Sequence, residues 1–354
     1  MTKREWLEIG YSKNIIDMEE YEEVIFADAF MMWFRMKKNC VDAPTLDRLE
    51  VTYNRYYSGT PLVEKCISKI SESDVIDFLT QAILRYTLSY REFGRCLQIV
   101  RSVLVYCKDL KLGGAILYDW DKIKRYMPIN TLERKERVEF AVTSAHVKRM
   151  IECVVSKKIY YEKQSACLCL CMNFYLGLRI GELAGLTFDD FDFERGVVRV
   201  YKTESKFYER DEKGARVGAM VYRVVDDVKT IYSVREVPLL PEVRFFYDKI
   251  KAHHELNKYD SKHLAYDGRD TILIRSLDRT LRRLCEKCEV PYFNSHVIRK
   301  TFATTLHHNG VPTRVISDLL GHHDVSTTEN SYILSYANNY DNMLNYMKGA
   351  LVYK

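Results

Sequence analysis

The sequence predicts a mainly α-helical protein with a small antiparallel β-sheet, built as a helical domain followed by a mixed α/β domain. Three observations predict it. The first third carries apolar stripes at helical spacing behind legible helix starts. Three short β-patterned pieces cluster between residues 197 and 239. A basic, proline-containing break separates the two patterned stretches.

In the first stretch, FADAFMMWF (26–34) is strongly apolar, and Thr45, after Pro44, opens TLDRLEVTYNRYY with Leu46, Leu49, Tyr53 and Tyr56 on one stripe. Ser71 with Asp74, and Ser89 with Glu92, have capping-box spacing ahead of two further helices, the second running to about Cys107. From about Ile123 the pattern breaks into IKRYMPINTLERKER, where Pro128 fits an interdomain linker. Lys122, Lys124, Arg125, Arg134, Lys135 and Arg137 are candidates to track a nucleic-acid backbone; a solvated linker is the other reading of the same charges.

The second stretch starts at Ser144, the expected N-cap of AHVKRMIECVV, followed by an apolar helix from about Ser165 to Tyr175. Gly177 and Leu178 turn the chain into a helix that begins near Arg179. VVRVY (197–201), MVYRVV (220–225) and VREVPL (234–239) form the expected three-stranded sheet, with TESKFYERDEKGARVG as a charged loop between the first two. Helices are expected at 241–257, 276–288, 296–308, 312–320 and 327–336, with Gly310 and Gly321 as C-caps and Pro312 opening the next helix. The resulting plan is an N-terminal extension (1–24), a helical domain (25–126), a basic linker (127–140), the mixed domain (141–340) and a tail (341–354).

At 354 residues the chain is long enough for a sizeable core in each domain, and 47% hydrophobic with 29% charged residues reads as globular. A net charge of only +5 means that any basic surface is local. No apolar run reaches a membrane span, and MTKREWLEIG lacks a signal-peptide core, so the expected location is cytoplasmic, on the nucleoid, with ten reduced cysteines. Cys167, Cys169 and Cys171 do not converge on one ion at i, i+2, i+4, and the Cys285–Cys288 pair lacks a second pair; both sets read as buried small apolar side chains, and no metal site is expected.

The polar residues of HVIRKTFATTLHHNGVPTRVISDLLGHHDVSTTENSY (296–332) are not explained by packing. His296 and Arg299 are three apart and share a helix face. His322 sits just past the cap Gly321, and Tyr332 follows ten residues on. Arg179 lies far upstream in GLRIGELAGL, with Glu182 at i+3 as an ion-pair partner. Cutting a phosphodiester with a tyrosine requires a proton to leave the phenol, arginines to hold the developing charge on phosphorus, and a lysine or histidine to protonate the leaving oxygen. Singly these residues are ordinary, and tyrosine alone occurs 26 times. Their joint pattern is not.

GLRIGELAGLTFDDFDF resembles the first arginine motif of the tyrosine recombinase (phage integrase) family. HVIRKTFATTL resembles its H-x-x-R motif, LLGH its second-histidine motif and STTENSY its nucleophile motif. The resemblance covers roughly 140–340; residues 25–125 resemble the family's core-binding domain in length, helicity and position only. It implies that Arg179 and Arg299 bind the scissile phosphate, that His296 and His322 assist proton transfer, and that Tyr332 attacks to give a 3′-phosphotyrosyl intermediate. KTIYSVREVPL matches the family's lysine-threonine opening before the S-x-R-x-x-P-L strand, implying Lys229 as general acid, with Lys202 as the alternative. Glu182 is expected to position Arg179. Lys300 stands where many members have histidine and is a further backbone-contact candidate. His323 and Tyr336 lie near the motif residues, but the LGH and TT-x-x-x-Y alignments favour His322 and Tyr332.

The implied partners are a specific duplex DNA site and a homotetramer, with no cofactor, since nothing resembles a P-loop or an acidic metal cluster. The expected role is the integrase of a mobile element or phage. A chromosome-dimer resolvase is the rival, against which the N-terminal segment and the 203–218 loop lean. A DNA-binding relative without catalysis is the alternative from another class. With only about 25 residues ahead of the core-binding helices, the family's separate arm-binding domain is not expected, and whether this extension binds arm sites stays open. The tail spacing Met343, Leu344, Met347 and Leu351 suggests a contact with a neighbouring protomer.

Overall fold

The computed structural model describes residues 24–112, 118–132, 142–156, 163–225, 234–268, 274–322 and 324–332. They fall into two compact units. The first runs through Arg137 and includes Lys206–Val221; the second takes Val138–Ser205 and the chain from Tyr222 onward. Residues 206–221, expected in the mixed domain, thus fold with the helical one. Both units match the expected class, mainly helical with small antiparallel sheets. Among the described residues no helix is long and apolar enough to cross a membrane.

The first unit holds α1 (Phe26–Lys38), α2 (Ala43–Tyr56), the single turn α3 (Pro61–Glu64), α4 (Glu72–Tyr86), α5 (Tyr90–Asp109) and α6 (Trp120–Arg125). On α1, Phe26, Ala29, Phe30, Trp33 and Phe34 recur at helical spacing and are all buried. Both expected capping boxes form: Ser71 and Asp74 open α4, and Ser89 and Glu92 open α5, each serine accepting the N3 amide while the acid accepts the N-cap amide. The fully buried Tyr57 stacks on Phe26, with ring centroids 5.8 Å apart. Its hydroxyl donates to the Cys96 carbonyl and accepts the Val100 amide, so no buried polar atom is left unmade there. On α6, Lys122 is ion-paired to Glu72 at 2.7 Å and Lys124 lies 3.9 Å from Asp121. Arg134, Lys135 and Arg137 lie outside the described residues.

The second unit is organised by α8 (Gln164–Leu176), which is buried on every side except at Gln164 and Tyr175. A helix with no polar face belongs at the centre of a core. Around it pack α7 (Ser144–Val155), α10 (Pro241–Asn257), α11 (Ile274–Lys287) and α12 (Ser295–His308). The short α9 (Ile180–Gly185), α13 (Thr313–Leu320) and α14 (Val325–Tyr332) complete it. Cys167, Cys169 and Cys171 lie inside α8, and burial pushes the Cys169 and Cys171 thiols well above their ordinary pKa. Cys285 and Cys288 are buried as well. The α7 N-cap is Thr143, one residue before the expected Ser144; its hydroxyl accepts the His146 amide at 3.3 Å.

The strand pairing differs from the sequence expectation. The sheet is β1 (Phe191–Asp192), β2 (Val197–Val200) and β5 (Arg235–Pro238), antiparallel in the order β1-β2-β5, with Val198 opposite both Phe191 and Val237. TESKFYER is no loop but β3 (Thr203–Arg210), and it pairs with β4 (Arg216–Val225) as a separate two-stranded ribbon. MVYRVV therefore lies in an insertion between two neighbouring sheet strands. Gly214, at φ +84°, sits in the ribbon turn where only a residue tolerant of the left-handed region fits. Within the first unit, the turn end of the ribbon is fastened to α1 and α2. Asp47 accepts the Tyr208 amide at 2.9 Å, Arg210 pairs with Asp47 and Glu50, and Arg216 reaches Glu50 at 2.7 Å. Arg210 also lies over the Phe34 ring, 5.2 Å from its centroid.

Candidate active site

The site in the second unit begins with a turn. Gly177 caps α8 at φ +62°, and the buried side chain of Asn173 clamps the turn by accepting the Leu178 amide at 2.8 Å and donating to its carbonyl at 3.1 Å. This delivers Arg179 to the N-cap of α9. Glu182, one turn later, accepts the Arg179 amide at 2.8 Å and its Nη1 at 2.8 Å. Burial alone pushes the Glu182 pKa up. The surrounding guanidiniums, Arg235 foremost and then Arg179 and Arg299, outweigh that and hold it down at about 2.

The C-terminal end of α13 is the second anchor. Gly321, at φ +64°, ends the helix, and three successive carbonyls there are each taken by a different arginine. Arg235 Nε donates to Leu319 at 2.6 Å, Arg299 Nη2 donates to Leu320, and Arg179 Nη2 donates to Gly321 at 3.1 Å. Unsatisfied carbonyls and the negative end of the helix dipole favour cations at this position. Arg299, only 4% exposed on α12, also donates through Nη1 to the Gly177 carbonyl at 2.9 Å, joining the two anchors. Among the described residues three guanidiniums face one carboxylate, an arrangement suited to receiving a phosphodiester anion.

His322 completes the cluster. Its Nε2 lies 3.0 Å from Arg299 Nη2 and its Nδ1 lies 2.8 Å from Thr328 Oγ1 on α14. Because a guanidinium only donates, Nε2 accepts; the ring proton is on Nδ1 and goes to Thr328. Burial, then the charges of Arg299, Arg179 and Arg235, lower the His322 pKa to about 4, so the imidazole is neutral at neutral pH. Tyr332 is the last residue of α14, one helical turn beyond Thr328. His296 is exposed in the first turn of α12, its amide held by Asn294 at 3.0 Å, and Lys300 is partly buried one turn further on.

The structure therefore gathers Arg179, Glu182, Arg299 and His322, and sets Tyr332 on the helix bonded to His322. Lys229 lies outside the described residues, as do His323 and Tyr336. The alternative lysine, Lys202, is committed elsewhere: its ammonium donates to Thr187 Oγ1 at 2.8 Å and to Asp190 at 2.8 and 3.0 Å. Burial lowers its pKa, but the bond to Asp190 outweighs that and leaves it raised, which suits a structural ion pair better than an acid. Two features escaped the sequence reading. Arg235 belongs to the cluster although only its strand motif was noticed. On α11, Arg275, Arg279, Arg282, Arg283 and Lys287 are exposed opposite buried Leu277, Leu281 and Leu284. The leucine spacing in IRSLDRTLRRLCEK, with five cations against two acids, Asp278 and Glu286, at the remaining positions, was a legible signal.

Gly177 tests how tightly this geometry is set. A Cβ there would overlap the Phe302 ring on α12, and the left-handed backbone adds strain. Gly177→Ala is expected to lower stability by roughly 2–4 kcal/mol, combining left-handed strain with overpacking. It should also slow any reaction that uses Arg299, whose guanidinium bonds the Gly177 carbonyl. Urea denaturation beside an activity assay checks both.

The phage integrase family model matches residues 141–339, more than half of the chain and all of the motifs above. The chain belongs to that family, the tyrosine recombinases. A XerC-like tyrosine recombinase of Caldanaerobacter subterraneus subsp. tengcongensis is 35% identical over 173 residues, which cover 46% of this chain and 43% of the relative. The XerA tyrosine recombinase of Thermococcus kodakarensis is 30% identical over 193 residues, 53% of this chain and 56% of the relative. The chain thus spans about half the length of these curated relatives. The fold is shared more widely: a solved structure of the Tn1549 transposon integrase, in complex with transposon right end DNA, superposes with a TM-score of 0.67 at 20% identity. That match covers 87% of this chain and 95% of that one.

Proposed function

We propose that the protein is a site-specific recombinase that cuts and rejoins duplex DNA through a 3′-phosphotyrosyl intermediate. The observation that carries this reading is the arginine cluster: Arg179 and Arg299, fixed on neighbouring carbonyls of one helix end, beside a neutral His322. In the forward step the Tyr332 oxygen attacks phosphorus, forming the O–P bond as the bond to the 5′ oxygen breaks. Arg179 and Arg299 hold the non-bridging oxygens, where the negative charge develops. His322, neutral and accepting, suits proton uptake rather than donation, which leaves protonation of the 5′ oxygen to Lys229, with His296 assisting. Resealing reverses the step: a 5′-hydroxyl attacks and tyrosine leaves, so the energy of the broken bond is kept and no nucleotide cofactor is consumed.

In the second unit the basic face of α11 and Lys300 carry charges that suit phosphate contacts; Lys124, Arg125, Arg134, Lys135 and Arg137 are separate backbone-contact candidates. Lys122 is already neutralised by Glu72. Synapsis of two duplexes calls for a homotetramer, and the apolar spacing of residues 341–354 suits a contact with a neighbouring protomer. For the biological role, the β3–β4 ribbon inserted between neighbouring sheet strands supports the integrase of a mobile element. A second reading, chromosome-dimer resolution, is supported by the Xer names of the curated relatives. The cellular role follows from which DNA is cut: the joined ends of the element that carries the gene, or a chromosomal site.

The chemistry is tested on a nicked suicide duplex carrying the recombination site, with EDTA present. A protein–DNA adduct stable to denaturant is the expected result. Binding without any adduct, with intact strands recovered, would favour the DNA-binding relative that lacks catalysis.

A further inference from the structure

Arg235 opens β5 and is only 6% exposed. All three of its guanidinium nitrogens are engaged. Nη1 and Nη2 fork onto the two oxygens of Glu182, at 3.1 and 2.9 Å, and Nε donates to the Leu319 carbonyl at 2.6 Å. Glu182 in turn carries Arg179, through the Arg179 amide on one oxygen and Nη1 on the other. We propose that Arg235 is a positioning residue for the recombination chemistry. It locks Glu182 and the end of α13 to the sheet, and so holds Arg179, Arg299 and His322 in one arrangement. The proposal rests on the reading of this cluster as the phosphate site.

Arg179 has a side chain 37% exposed, and an i,i+3 ion pair at a helix start is by itself a weak hold on so long a side chain. With Arg235 in place, Glu182 is nearly buried and its two oxygens receive four donors, so Arg179 bonds a carboxylate that is itself immobile. Leu319 is adjacent to Leu320 and Gly321, whose carbonyls Arg299 and Arg179 use, so the same guanidinium also fixes the frame on which those two arginines rest. A lysine cannot replace it, because a single ammonium lacks the planar fork that spans Glu182 while reaching Leu319. Arg235 acts through these groups and needs no contact with DNA.

Two variants separate positioning from mere stability, each measured as the cleavage rate per folded molecule on the suicide substrate across pH. Arg235→Met removes fork and charge. It is expected to keep DNA binding and to cleave about a hundredfold more slowly, the scale at which displacing a catalytic group tells. His322 faces the cations Arg179, Arg235 and Arg299 and the anion Glu182, with Thr328 on its other nitrogen. Losing one cation favours its protonated form, so the acid limb of the rate profile should move to higher pH. Arg235→Lys keeps the charge without the fork: its acid limb should stay near the wild-type position while the rate remains below wild type. If Arg235→Met cleaves at the wild-type rate per folded molecule, with an unmoved profile, Arg235 is only a structural brace and the proposal is overturned. Absence of any adduct from the wild-type protein would overturn the reading of the site as well. Equal cleavage by wild type and Arg235→Met would overturn the positioning role alone.

Discussion

Glu182→Ala is expected to destabilise the protein by about 3–5 kcal/mol and to slow DNA cleavage by roughly a hundredfold while DNA binding persists. The carboxylate is nearly buried among three guanidiniums, and removing it takes a counter-charge from Arg235 and Arg299, themselves 6% and 5% exposed. Two effects then compete. The extra positive charge strengthens attraction for phosphate, while the loss of the shared acceptor releases Arg179 and Arg235. Attraction acts equally on bound substrate and transition state, whereas orientation decides the barrier, so the rate falls although binding does not. The same group makes stability depend on pH. Its folded-state pKa, about 2, lies below the ordinary 4.5, a difference on the order of 3 kcal/mol. That contribution is complete above about pH 4.5 and is lost as the pH falls through about 2. Urea titrations across this range should show a steeper acid loss for wild type than for Glu182→Gln, which has no such group to protonate.

Tyr332→Phe is expected to bind the recombination site like wild type and to leave it uncut, a loss of roughly a million-fold on the scale seen when an enzyme loses its nucleophile. The substitution removes one hydroxyl and leaves an aromatic ring of nearly the same volume, so packing is little disturbed. Thr328, one turn earlier, keeps its bond to His322. A gel-shift assay beside a denaturing gel separates the two properties. An adduct of wild-type yield from Tyr332→Phe would transfer the nucleophile's role to another tyrosine, Tyr336 first.

What the sequence made legible was local. The capping boxes at Ser71 and Ser89, the helix at Pro241–Asn257 and the C-cap Gly321 all rest on residues within a turn of one another. Glu182 could be paired with Arg179 because they are three apart. Its role as the shared acceptor of Arg235 as well could not be read, since those residues are 53 apart and meet only when β5 pairs with β2. Strand pairing failed for the same reason: VVRV and MVYRVV carry similar β patterns, and nothing local says which segment each will face. The fastening of Arg210 to Asp47, 163 residues away, is likewise invisible to any local pattern. Lys202 and Lys229 looked alike as hairpin lysines until Asp190 claimed the first. The motifs thus exposed the chemistry, while the parts that hold it rigid lie in long-range contacts.

On the proposed chemistry Tyr332 becomes linked to the 3′ end of a cut DNA strand. Digesting the adduct from the suicide substrate with nuclease and protease, then sequencing the modified peptide by mass spectrometry, identifies the linked residue and the linkage. The expected product is a nucleotide joined through its 3′-phosphate to Tyr332, with a 5′-hydroxyl on the released strand. A nucleotide on any other residue, or a linkage through a 5′-phosphate, would contradict it.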